Sequence, residues 1–397
     1  MSSPLVILIL SLLLGLQPIT TDLYLPALPA LTEAFATVPA RAQLRLTALL
    51  LAFGLSQLVW GPVSDVVGRR KVLLVGLAGY TLAAVGSALA ASIEALVVWR
   101  TVQGACMGAG TVCARAIVRD LYAPEQGARA MSKGLWGLGV AACLSPPLGG
   151  LVAEWLGWRA ALMSLVLFGA ATLFVIARHF DETLQERNPE ALRPALLAGT
   201  VGHILGNGTF WAFTLLSSAS FGGLFSFLAS SSFVFIKLFG FSSTAYGMVL
   251  LSLSAFYITG TMLCRRMLLR IGVQGAVRVG GLLSLCGGGL MAALLLAGVN
   301  SPWAGMAPAW IYMLGHGIHQ PCGQSGAIGP FPGAAGAASA LAGFLMMVVA
   351  FGAGSWMGAH MDGTAAPLIE GMAFWSVTVA LVAWILVQRT GPRAASR

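Results

Sequence analysis

Apolar stretches of about 20 residues alternate with short polar breaks along nearly the whole chain. They predict helices at 5–27, 43–63, 72–92, 95–117, 132–154, 159–180, 209–230, 244–264, 276–298, 304–325, 338–360 and 367–388. Each is long enough to cross a hydrocarbon core about 30 Å thick at about 1.5 Å per residue. The longest polar break, about 178–205, carries Arg178, His179, Asp181, Glu182, Glu186, Arg187, Glu190 and Arg193. It divides the spans into two groups of six. The expected organisation is an all-α integral membrane protein of 12 transmembrane helices in two bundles. Residues 1–180 form the first bundle, 181–205 a central loop, 206–390 the second bundle and 391–397 a tail.

Composition supports this pattern. The 397 residues are 58% hydrophobic and only 9% charged, against about 25% charged in soluble domains. The 50 glycines suit helices that approach closely in lipid. The net charge of +9 reflects topology rather than nucleic-acid binding, because the basic residues lie in short loops between spans. With both termini placed in the cytoplasm, 17 of the 22 Lys and Arg residues fall inside, as the positive-inside rule requires. No Lys or Arg precedes Arg41, so the first apolar run lacks the basic start of a cleaved signal peptide and is expected to remain a span. The six cysteines form no C-x-x-C pair and sit in or at the ends of apolar runs. They are expected to be packing residues, with neither a disulfide framework nor a metal site.

Asp22 stands inside the first apolar run, in Pro18-Ile19-Thr20-Thr21-Asp22-Leu23-Tyr24-Leu25-Pro26. A carboxylate at the centre of a membrane helix costs roughly 2.5–3.5 kcal/mol on insertion scales. Such a group faces a cavity, finds a cation or carries a proton; the alternative for Asp22 is headgroup contact near the interface. Arg100 begins the fourth span in Arg100-Thr101-Val102-Gln103-Gly104. It lies roughly 9 Å below the outer end of its span, and Asp22 roughly 25 Å from the inner surface, by helical rise. Both fall in the outer half, so the two are expected to meet unless Arg100 snorkels outward. A guanidinium favours the charged form of a carboxyl and apolar burial the neutral form. An environment that alternates between them would load and unload a proton.

The loop after the second span reads Gly61-Pro62-Val63-Ser64-Asp65-Val66-Val67-Gly68-Arg69-Arg70-Lys71. Gly68 suits a tight turn, and Asp65 can cap a helix or pair with a guanidinium. Such pairs latch helices together. A weak copy, Gly260-Thr261-Met262-Leu263-Cys264 followed by Arg265-Arg266, recurs 199 residues later. Repeated halves are the usual build of secondary transporters. Cys264 stands where the first copy has Asp65, so any work of that acid is confined to the first half.

This loop resembles the G-x-x-x-D-R-x-G-R-R signature of the major facilitator superfamily, departing at Val66, where the family usually has Arg. The resemblance implies that Gly61, Asp65, Gly68, Arg69 and Arg70 form a cytoplasmic gate, short of one partner. The stretch from Arg100 to Gly104 resembles the R-x-x-Q-G motif of drug:proton antiporters and implies a proton-coupling role for Arg100 beside Asp22. Ala141-Ala142-Cys143-Leu144-Ser145-Pro146-Pro147-Leu148-Gly149-Gly150 resembles the antiporter motif G-x-x-x-G-P-x-x-G-G, matching at Pro146, Gly149 and Gly150. The stretches 21–29 and 319–332 are similar to the Bcr/CflA group of bicyclomycin and chloramphenicol exporters. Some relatives carry a second acid one or two turns earlier in the first span; here those positions are Leu14, Gly15, Gln17 and Pro18.

The resemblance implies proton-coupled multidrug or phenicol-type efflux across the bacterial inner membrane by a monomer, with a small hydrophobic substrate, protons and lipid as partners. The alternative is export of a metabolite such as a sugar or amino acid. A sensor or polytopic enzyme is a further class, but no soluble output domain, H-E-x-x-H or G-x-x-x-x-G-K-[ST] motif is present. No cofactor is expected, and a proton gradient supplies the energy. Tyr24, Gln103, Trp136, Phe225, Tyr257 and His319 are candidate lining residues for an apolar cavity. His316 and His319, three apart on one helical face, are open to a relay role or to hydrogen-bonded packing. Glu154 and Glu370, close to outer span ends, are expected to be interfacial.

Overall fold

Hydrocarbon offers no water to pair with backbone N–H and C=O groups, so a chain this apolar must satisfy them within helices. The computed structural model describes residues 3–35, 39–122, 124–184 and 186–390, and among them there is no β-strand. The expected tail, 391–397, lies outside the described residues.

The helices are α1 (Ser3–Asp22), α2 (Leu28–Ala34), α3 (Pro39–Val67), α4 (Arg69–Ala88), α5 (Ile93–Leu121), α6 (Pro124–Leu156), α7 (Trp158–His179) and α8 (Pro194–Leu205). They continue as α9 (Gly208–Ser232), α10 (Ser243–Leu296), α11 (Pro302–Ile328), α12 (Ala335–His360), α13 (Ala366–Leu381) and α14 (Val387–Thr390). Among the described residues, nine helical stretches are long and apolar enough to cross a bilayer. One of them, α10, is 54 residues long and breaks at Gly272, whose φ of 68° leaves the right-handed region. The protein is therefore a multi-pass membrane protein.

Two expectations need correction. The first span was expected as one helix over 5–27, but α1 stops at Asp22 and the chain continues through a 3-10 turn, Leu25–Ala27, into α2. Pro26 has no N–H to donate to the Asp22 carbonyl, and it disfavours helical geometry at Leu25. The backbone instead closes a tighter turn, with the Ala27 N–H donating to the Tyr24 carbonyl at 2.9 Å. The second concerns the central loop. Its last part folds as α8, an apolar helix, because the charges that mark the break end at Arg193.

The chain forms two compact units. The first comprises Met1–Gly199 with the short segment Phe241–Met248, and the second comprises Thr200–Gly240 and Val249–Arg397. In the first unit, α5 packs on α3 and α4, α1 on α6, and α4 on α7. In the second, α9 packs on α11, α12 and α13.

Close approach in the first unit depends on missing side chains. A Cβ on Gly104 of α5 would collide with the Leu49 carbonyl of α3. That obstacle is backbone and cannot swing aside, whereas Gly139 of α6 has nothing within 4 Å. Overpacking of this kind costs about 1–3 kcal/mol. Gly104→Ala is expected to lower the thermal midpoint of purified protein by several degrees, and Gly139→Ala to leave it unchanged, as measured by intrinsic fluorescence.

Candidate functional site

The helix break puts the polar groups of the first span at one level. Asp22 is the last residue of α1 and is half-buried. Its Oδ1 accepts a hydrogen bond from the Thr21 hydroxyl at 2.7 Å. The Gln17 carbonyl, 3.0 Å from the Thr21 hydroxyl, is the competing acceptor for its one proton, and Thr20 shares a 2.7 Å hydrogen bond with the Tyr80 hydroxyl of α4.

Arg100 of α5 is 1% exposed. Its Nη1 donates to Gln103 Oε1 at 2.8 Å, one helical turn on. The guanidinium carbon lies 4.0 Å over the centre of the Tyr24 ring, a cation–π arrangement. The expected ion pair with Asp22 is not formed: Arg100 rests on Tyr24, while Asp22 is bonded by Thr21. Axial depth does not determine the direction a side chain takes around a helix, and the turn after Asp22 carries Tyr24 to the guanidinium. The structure thus brings Tyr24, Gln103 and Arg100 together, with Asp22 two residues from Tyr24 in the chain.

A second cluster surrounds the turn between α3 and α4. Gly68 has φ 108° and ψ 153°, a conformation that side-chain-bearing residues rarely adopt. Arg69 follows and is buried. Its Nη1 pairs with Asp65 at 2.7 Å and donates to Ser64 Oγ at 2.7 Å, and its Nε pairs with Asp120 of α5 at 3.0 Å. Arg119 reaches Asp65 at 3.4 Å but is 63% exposed. It supplies Asp65 with a second guanidinium where Val66 has none.

Sequence reasoning missed Asp120 and Glu182 here. The Glu182 carboxylate accepts from the Arg69 N–H at 2.9 Å and the Arg70 N–H at 3.2 Å, two of the unpaired donors at the start of α4. Its charge also suits that helix end. Arg70 in turn donates to the Ala177 carbonyl of α7 at 3.0 Å. Gly61 lies on α3 with Val112 of α5 at 3.9 Å from its would-be Cβ.

The proline–glycine stretch of α6 makes a third contact within the first unit. A Cβ on Gly149 would overlap the Leu23 carbonyl, next to Asp22. One on Gly150 would lie 2.5 Å from the Ser243 carbonyl, and one on Gly247 2.7 Å from that of Pro146. Ser243 and Gly247 belong to the Phe241–Met248 segment of the same unit. Glu154 accepts from the Thr244 N–H at 3.0 Å, so it caps the start of α10 as well as lying exposed; Glu370 is exposed.

In the second unit His316 and His319 are both buried but turn to different neighbours. His316 Nδ1 bonds the Ser220 hydroxyl of α9 at 2.9 Å, and His319 Nε2 lies 3.4 Å from the Val277 carbonyl of α10. The Tyr257 ring is 5.4 Å from that of His316, and Phe225, buried, stacks on Phe221 at 6.3 Å. Trp136, in the first unit, is 77% exposed.

The model of the Major Facilitator Superfamily matches residues 10–355. The chain belongs to the major facilitator superfamily. It is 31% identical to multidrug resistance protein D of Escherichia coli over 86% of this chain and 85% of that protein. It is 30% identical to the chloramphenicol resistance protein of Pseudomonas aeruginosa over 81% of this chain and 75% of that one. An inward-open structure of the xylose transporter XylE from E. coli superposes with a TM-score of 0.78 at 14% identity, covering 100% of this chain and 98% of that one. The protein is thus a membrane transporter of this superfamily and not an enzyme.

The ion-pair geometry separates two classes of substitution at the Gly68 turn. Asp120→Asn weakens the pairing of a buried guanidinium and is expected to cost roughly 1–3 kcal/mol. Arg119→Gln removes a solvent-screened pair and is expected to cost less than about 1 kcal/mol. Thermal midpoints of the two variants beside the parent protein check the order.

Proposed function

We propose that this transporter expels small hydrophobic drugs, phenicols among them, across the bacterial inner membrane in exchange for protons, by alternating access. The observation that carries the reading is the half-buried Asp22 carboxyl at a helix break inside an apolar stretch, with Thr21 as its bonded neighbour and no ion pair to Arg100. Unpaired in this state, it is placed to take and release a proton without first breaking a salt bridge. The relatives named above, multidrug and chloramphenicol resistance proteins, support the substrate class.

In the proposed topology the chain has twelve spans. The nine apolar stretches are joined by α5 and α11, 29 and 27 residues long, and α10 counts as two limbs about Gly272. Both termini are cytoplasmic, supported by the bias of Lys and Arg along the sequence. The first bundle extends to about residue 180 and the second from about 206 to 390. The Asp65–Gly68–Arg69–Arg70 turn then acts as the cytoplasmic gate, and Pro146, Gly149 and Gly150 as the antiporter element. Tyr24, Gln103 and Trp136 of the first unit are proposed substrate contacts, and so, taken separately, are Phe225, Tyr257 and His319 of the second. No cofactor takes part, and the working form is the monomer. A membrane potential of 100 mV supplies about 2.3 kcal/mol per charge moved.

Outward-facing, Asp22 takes a proton as substrate leaves; inward-facing, it loses the proton as substrate binds. The test is efflux of a dye or a phenicol from vesicles under an imposed pH gradient. Asp22→Asn is expected to reduce gradient-driven efflux at least about tenfold while the protein still inserts and folds. Undiminished pH-driven efflux by that variant would remove Asp22 from the coupling role.

A further inference from the structure

The surroundings of Arg100 are rich in donors and poor in acceptors. Arg100, Gln103 and Tyr24 are each at least 99% buried. The guanidinium donates to Gln103 Oε1. Arg100 Nη2, Gln103 Nε2 and Tyr24 Oη are buried without a hydrogen-bond partner. All three belong to one cluster, because Gln103 is bonded to the guanidinium and the Tyr24 ring lies beneath it at 4.0 Å. The Tyr80 hydroxyl, which shares a 2.7 Å hydrogen bond with Thr20, is a neutral acceptor on the Gln103 side of the cluster and supplies no anion. Asp22 lies close in sequence but makes no ion pair with Arg100.

A buried guanidinium without an anion is costly, and so is each unmet donor beside it. Three unmet donors with one formal positive charge call for a single partner that is anionic and accepts several hydrogen bonds. A carboxylate meets both conditions. Its two oxygens match the fork of a guanidinium, and a hydroxyl and an amide N–H can reach the remaining lone pairs.

We infer that Arg100, Gln103 and Tyr24 form a binding site for the carboxylate group of a small monoanionic solute. The assignment stands apart from the proton-coupling role proposed for Asp22, because it is read at equilibrium with no gradient and no transport.

The probe is sodium benzoate, with benzamide as its neutral counterpart and sodium chloride as a halide arm. The readout is the thermal midpoint of the purified full-length protein by intrinsic fluorescence, the chloride arm at matched concentration serving as the control for ionic strength. A ligand that binds only the folded state raises the midpoint in a saturable way. Benzoate is expected to do so and benzamide is not. A saturable effect of chloride equal to that of benzoate would overturn the carboxylate assignment.

Arg100→Gln is expected to abolish the benzoate effect. Tyr24→Phe retains the ring and the charge but removes one donor, and is expected to weaken apparent affinity by about tenfold, the usual worth of a hydrogen bond to a charged group. It keeps the test decisive if Arg100→Gln does not fold. In Asp22→Asn an internal carboxylate can no longer compete, so benzoate is expected to saturate at an equal or lower concentration. Absence of a saturable benzoate effect in both the parent and Asp22→Asn, or an unchanged effect in Tyr24→Phe, overturns the site.

Discussion

Every backbone amide inside hydrocarbon must find its partner within the protein, and the places where the first unit departs from that rule are where its polar chemistry gathers. Pro26 cannot donate to the Asp22 carbonyl, so α1 ends there and the chain turns before resuming as α2. Polar side chains gather around the break. The Thr21 hydroxyl has the Asp22 carboxyl and the Gln17 carbonyl as alternative acceptors, and Thr20 meets Tyr80. The same turn delivers Tyr24 to the face of Arg100. One missing N–H therefore organises both the proton-binding candidate and the cation beside it.

Packing serves the same end. Gly149 lets the backbone of α6 rest on the Leu23 carbonyl at the break, and Gly104 lets α5 rest on α3 one residue from Gln103. Without these approaches α6 would stand off the break beside Asp22, and α5, which carries Arg100, would stand off α3.

Much of this was legible from residues alone. A carboxyl and a guanidinium in apolar runs are conspicuous, and the Gly68 turn is marked by an acid, a glycine and three bases in one short loop. What could not be read was direction. Asp22 and Arg100 are at similar computed depths, yet rise per residue gives no azimuth, and the turn after Asp22 changes it. Asp120 and Glu182 were missed because they lie 51 and 113 residues from Arg69. A signal existed, since Asp120 and Glu182 both fall in breaks that the charge bias puts on the same side as Arg69. His316 and His319 share a helix and nearly a face, but the neighbouring helices offer one a serine hydroxyl and the other a backbone carbonyl.

Glu182 has a mechanical meaning. It follows α7, and its carboxylate grips the first turn of α4, while the neighbouring Thr183 hydroxyl donates to Asp120 at the end of α5 and the Asn188 N–H to the Asp65 carbonyl on α3. Three successive helices, α3, α4 and α5, are thus lashed at one end by the stretch that follows α7. A push or pull arriving through that stretch is shared among α3, α4 and α5 at once instead of peeling away a single helix. The stretch that follows α7 works as a handle on these three helices rather than as a slack tether.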